Sequence, residues 1–139
     1  MKELCTKAKI DNIDEVYGFL DGKLAEDVPD ISRRDALKLH MVIDEIFNNI
    51  VSYAYDDEDG NVWFGFSYIP DAKQIILQFQ DEGIPYDPTK QASPDITLPT
   101  KERKPGGLVL VMVRKVMDTV SYEYCDGKNV LTMSKNLDV

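Results

Sequence analysis

"QIILQFQDEGIPYDP", residues 74–88, begins as a strand and ends as something else. Ile75, Leu77 and Phe79 alternate with Gln74, Ile76, Gln78 and Gln80, giving one strongly apolar and one mostly polar face. Such a strand suits an antiparallel sheet that is covered on one side only. The last eight residues, "DEGIPYDP", hold three acids, one glycine and two prolines. A plain hairpin would need only Asn-Gly or Asp-Gly there. A surface loop is one reading of that ending, and a ligand site at a strand end is the other.

Upstream, residues 32–55 carry Ser32 as a cap and Ala36, Leu39, Ile43, Ile46, Ile50 and Tyr53 as a stripe at helical spacing. Before them, Ile13, Val16, Leu20 and Leu24 predict another helix, with Asn12 and Glu15 in N-cap and capping-box positions. The weakly alternating first ten residues predict a short strand. "DDEDGN", residues 56–61, is a polar turn that leads into the aromatic strand "VWFGFSYI", and Pro70-Asp71 makes the next turn.

Downstream, regular periodicity disappears from residue 84 to residue 105, where five of the seven prolines fall. A stretch of this length without periodicity suits a binding loop or lid. Gly106-Gly107 then opens "LVLVMVRKVM", apolar nearly all round and read as a buried helix, and Asp126-Gly127 joins two strands as a hairpin. The order is β, α, α, β, β, loop, α, β, β. Hairpin-connected strands with segregated helices predict a two-layer α+β sandwich.

A chain of 139 residues with 43% hydrophobic content is expected to form one domain. No apolar run approaches a membrane span, and neither a secretory leader nor a disulfide framework is visible, so a cytoplasmic protein is expected. Cys5 and Cys125 read as unpaired, buried strand residues. Sixteen basic against twenty-five acidic residues leave a net charge of −9, which argues against direct nucleic-acid or membrane binding. The single histidine, His40, cannot make a multi-histidine zinc site and reads as a helix residue beside the core.

Three stretches could carry chemistry. Glu45 and Asn49 project about 40° apart on the long helix, at its shoulder, where a carboxylate can act as a base and an amide oxygen can ligate Mg²⁺. Asp81 ends a strand on its core-facing side and could accept a hydrogen bond from an exocyclic amine, with Gly83 leaving room for a flat ring. Gly106 and Gly107 open a helix whose free N–H groups suit phosphate, and Lys101, Arg103 and Lys104 precede them. Each has an ordinary alternative: solvated polar residues, an Asx turn, a hinge. Their order in one chain is more specific than any one of them.

In that order the sequence resembles the bacterial anti-sigma factor and serine-protein kinase ATPases, relatives of gyrase-type topoisomerases, histidine kinases and heat-shock chaperones. "VIDEIFNNIVSYAY" is similar to the family's N-box, "DEGIPYDP" to its first glycine box and "KPGGLVL" to its second. The resemblance implies a two-layer α/β sandwich with a mixed, mostly antiparallel sheet and helices on one face, spanning residues 1–139, with an ATP lid at about 84–105. It implies ATP and Mg²⁺ as ligands, with Glu45 activating the attacking group and Asn49 on the metal. Asp81, Gly83 and Thr132 would take the adenine, and Lys104, Gly106, Gly107 and Leu108 would lie near the phosphates. The implied activity is phosphorylation of a serine or threonine on an anti-sigma-factor antagonist, with that protein or a sigma factor as partner and a homodimer as a further expectation. Val109 stands where the family has a further glycine and is expected to crowd the α- and β-phosphates. The alternative is a protein-sequestering module with weak or no kinase activity.

Overall fold

A computed structural model describes residues 1–55, 60–90 and 107–138; for residues 107–110 it describes the backbone only. Five strands and three helices follow the expected order: β1 (Lys2–Lys7), α1 (Ile13–Asp27), α2 (Arg33–Tyr53), β2 (Asn61–Ile69), β3 (Gln74–Asp81), α3 (Gly107–Val116), β4 (Thr119–Cys125) and β5 (Lys128–Asn136). The strands form one sheet in the order β1-β2-β3-β5-β4. Every pairing in it is antiparallel, so the sheet is not mixed. The chain reaches the far edge through α3 and β4 before the hairpin inserts β5 beside β3, and β5 therefore runs against both neighbours.

Strand alternation decides what meets the helices. Val62, Phe64 and Phe66 of β2, Ile75, Leu77 and Phe79 of β3, and Leu131 and Met133 of β5 share one core with Val16 and Leu20 of α1 and Leu39, Ile43 and Ile46 of α2. Phe47, Phe64, Phe66 and Phe79 are at most 1% exposed. Burying each contributes about 1.5–3 kcal/mol relative to leaving it in water. Among the described residues no helix covers the other face of the sheet, where Lys128 sits over the Trp63 ring, 3.8 Å from its centroid.

Local chemistry explains most boundaries. Ser32 caps α2, its hydroxyl accepting from the Asp35 N–H at 3.0 Å. In the β4–β5 hairpin Asp126 (φ 54°) and Gly127 (φ 77°) both take positive φ, as the two-residue turn requires. The capping box expected at Asn12 and Glu15 does not form. Asn12 is already helical, and its amide donates to the Lys7 carbonyl, while Glu15 accepts from the Thr6 hydroxyl and so ties α1 to β1.

Three further expectations are corrected. Cys5 and Cys125 are free but exposed, because Cys5 points to the uncovered face and Cys125 ends an edge strand. Tyr53 is 54% exposed, since the α2 stripe turns off the core in its last turn. α3 is not buried all round: Val113 is covered, whereas Val111 and Met112 are 37% and 40% exposed. His40 lies on α2 beside α1, stacked on Tyr17 and 2.7 Å from Asp21.

Lys135, near the end of β5, is buried on the helix side. Its ammonium donates to the Val116 carbonyl at 3.2 Å and lies 3.9 Å from Asp35 Oδ1, joining β5, the end of α3 and the start of α2.

Candidate functional site

At the opposite end of β5, the C-terminal half of α2 stands over the end of β3, and a cavity of about 160 Å³ opens between them. An apolar cavity of about 150 Å³ accepts a benzene ring, so a flat heterocycle is of the right order. Ile46 and Ile50 of α2 and its C-cap residue Ala54 form one wall, and Phe79 and Leu131 form the floor. Ile84, Tyr86 and Pro88 close a side, with Ile84 72% exposed at the rim. Asp81 is the one charged side chain in the lining among the described residues, and Asn49 faces the same space.

Asp81 reaches the cavity because it continues the parity of Ile75, Leu77 and Phe79, the core-facing side of β3. Only 8% of it is exposed. Burial raises its pKa above the ordinary carboxylate value, against the hydrogen bonds from Asn129 and Gly83, which lower it. Both bonds fall on Oδ1: the Gly83 N–H donates at 2.9 Å and the Asn129 amide at 3.0 Å.

Gly83 is required for a reason other than room for a ring. A Cβ there would lie 2.3 Å from the Ala54 carbonyl oxygen, so the turn after β3 rests directly on the α2 backbone. Tyr55 fixes the same junction, its hydroxyl donating to the Asn61 carbonyl and accepting from the Glu82 N–H, each at 2.6 Å.

Asn129, which the sequence reading passed over, is the hub. Its amide also donates to the Ile84 carbonyl at 2.9 Å, and its Oδ1 accepts from the Tyr86 N–H at 3.0 Å and from the Tyr122 hydroxyl. The sequence carried one signal: Asn129 has the core-facing parity of Leu131 and Met133, and a polar side chain at such a position needs a partner. Thr132 has the opposite parity. Its hydroxyl accepts from Gln78 at 3.1 Å on the uncovered face of the sheet, so Thr132 does not reach the cavity. Tyr86 was passed over as well. Among the described residues its hydroxyl is buried without a hydrogen-bond partner, an open donor in the cavity wall.

Glu45 lies one turn before Asn49 on α2, half-buried, and is not part of the cavity lining. Gly107 begins α3, with Leu108 and Val109 in its first turn. Lys104 and Gly106 fall outside the described residues, as does all of the expected lid from residue 91 to residue 105; within 84–90 a single 3₁₀ turn forms at Pro88–Lys90. Among the described residues no three His, Cys, Asp or Glu side chains converge on a metal position. A protein cage of that kind is not what Mg²⁺ uses with nucleotides: one or two protein oxygens plus phosphates suffice, and the Asn49 amide oxygen suits that role.

Comparison with known proteins identifies the family and the fold. Residues 7–135 match the family described as histidine kinase-like ATPase domain. Over 105 residues the chain is 31% identical to the serine/threonine-protein kinase BtrW of Bordetella bronchiseptica, covering 76% of this chain and 73% of that protein. It is 30% identical to the serine-protein kinase RsbW of Halalkalibacterium halodurans, of whose length it spans 64%. Among solved structures, the RsbU and RsbW domains of a Mycobacterium tuberculosis protein share the fold, with a TM-score of 0.64 at 17% identity over 99% of this chain and 33% of that one.

Proposed function

This chain belongs to the histidine kinase-like ATPase domain family, and on that premise we propose that it is an ATP-dependent protein serine/threonine kinase of the anti-sigma regulatory type. The observation that carries the reading is Asp81, a buried carboxylate in a largely apolar, ring-sized cavity that Asn49 also lines. Adenine fits such a cavity, with its exocyclic amine donating to the carboxylate. Phosphates would then extend towards Asn49 and the positive N-terminal end of α3 at Gly107. Mg²⁺, held by the Asn49 oxygen and the phosphates, would neutralise charge on the transferring group.

Glu45 is the candidate base. A serine hydroxyl of the partner gives its proton to Glu45 as its oxygen bonds to the γ-phosphorus; the bond from that phosphorus to the β,γ-bridging oxygen breaks, and ADP leaves. Little else is asked of the protein than positioning and charge neutralisation. The acceptor would be an anti-sigma-factor antagonist in a partner-switching pathway in the cytoplasm, with a sigma factor as the alternate partner and dimerisation of the kinase compatible with that exchange.

The test is titration with a fluorescent ATP analogue, with and without Mg²⁺, followed by transfer of labelled phosphate to a candidate antagonist. Saturable binding that Asp81→Ala abolishes, and transfer that Glu45→Ala abolishes, would support the reading. Absence of saturable binding by the native chain would sink it. Val109 favours a second reading, a sequestering module with little turnover, which the titration separates as nucleotide binding without transfer.

A further inference from the structure

The outward face of α2 begins with a basic and apolar cluster. Arg33, Arg34, Leu37, Lys38 and Met41 line a shallow groove there, with Leu37 58% exposed. At 100° per residue their mean direction is about 170° from that of Leu39, Ile43 and Ile46, so the groove belongs to the solvent side of the helix and not to the core. Among the described residues no ion pair engages any of the three cations. Their position opposes the helix macrodipole, which disfavours positive charge in the first turn. Two arginines and a lysine around an exposed leucine, in a chain of net charge −9, therefore do not serve the helix.

Glu45 continues this face, one turn beyond Met41. At 1.5 Å per residue it lies about 10 Å along the axis from Lys38 and about 16 Å from Arg34.

We infer that this groove docks an acidic segment of the phospho-acceptor protein, an inference that rests on the kinase reading of Glu45. An extended chain advances about 3.3 Å per residue. The docking residues of the acceptor would then be Asp or Glu around a leucine, about three to five positions from the serine. Positive charge on α2 meets the carboxylates, Leu37 and Met41 meet the apolar side chain, and the serine is left beside Glu45.

The probe is a labelled peptide with a serine and, four positions on, a glutamate-leucine-glutamate cluster, compared with the same peptide carrying glutamine for glutamate. Fluorescence anisotropy is expected to show at least tenfold tighter binding of the acidic peptide, a preference that weakens with added salt. Arg33→Glu/Arg34→Glu/Lys38→Glu is expected to lose that preference without lowering the thermal midpoint, since acidic residues suit the first turn of a helix, and while keeping the affinity for the fluorescent ATP analogue. Equal binding of both peptides, or an unchanged preference in the triple variant, overturns the docking surface. So does charge-dependent capture by phosphatidylserine vesicles without any peptide preference, which assigns the groove to a lipid surface. Failure of the ATP analogue to bind the native chain overturns the kinase reading instead, because the peptide measurement contains no nucleotide.

Discussion

Asn129 Nδ2 lies 3.0 Å from Asp81 Oδ1 across the β3–β5 ladder, and the two residues are direct register partners. The same amide reaches Ile84, and its oxygen holds Tyr86, so one side chain fixes both the acid and the segment that walls the cavity.

Asn129→Ala removes this hub and leaves the Ile84 carbonyl and the Tyr86 N–H without that partner. A loss of about 2–3 kcal/mol is expected in urea unfolding, with weaker binding of an ATP analogue. Unchanged stability together with unchanged affinity would refute the role of the hub.

Asp81→Asn keeps the shape and the acceptor at Oδ1 but removes the charge. Because burial raises the folded-state pKa of Asp81, the folded state holds its proton longer than the unfolded state does. Stability from this group is therefore present at acid pH and lost as pH rises from the unfolded value through the folded one. At pH 7 the variant is expected to be more stable by roughly 1 kcal/mol and to bind adenine nucleotide poorly, the usual opposition of stability and function. Urea melts at pH 4 and pH 7 check the sign; a variant less stable than the native chain at pH 7 contradicts it.

Gly83→Ala drives a methyl group into the Ala54 carbonyl, which is backbone and cannot swing aside. A cost of about 2–3 kcal/mol is expected from thermal melts. Gly18→Ala, in the interior of α1 with open space around it, is the control. It is expected to stabilise by about 0.5–1 kcal/mol, through helix propensity and a less flexible unfolded chain.

Lys135→Met leaves Asp35 buried at 5% exposure without its cation, and a loss of about 3 kcal/mol is expected. The double change Asp35→Leu/Lys135→Met is expected to recover most of it, since a buried ion pair and an apolar pair of similar volume are close in stability. If the double variant is as unstable as the single one, the pair is not what Lys135 contributes.

The period-two alternation of residues 75–79 and the stripe of α2 were legible because apolar spacing records which side is covered. Asp81 was legible for the same reason, one step further along the same parity. Thr132 was misplaced because a threonine suits either face of a strand and its parity relative to Leu131 was not applied. Asn129 needed a contact across 48 residues of sequence, which no local pattern announces. The close approach of Ala54 to Gly83 is not legible in the sequence, because it depends on how α2 docks on the sheet. Glu15 turned from a cap to a link with Thr6 through the same kind of tertiary contact.

Trp63 is the only indole in the chain, and it lies under Lys128 on the uncovered side of the sheet. Its fluorescence consequently reports whether β2 and the terminal hairpin stay assembled, and the ring lies on the opposite face of the sheet from whatever enters between α2 and β3. The protein carries a built-in signal for unfolding whose ring a ligand in the cavity does not contact, so unfolding can be followed by the indole with a non-fluorescent nucleotide present.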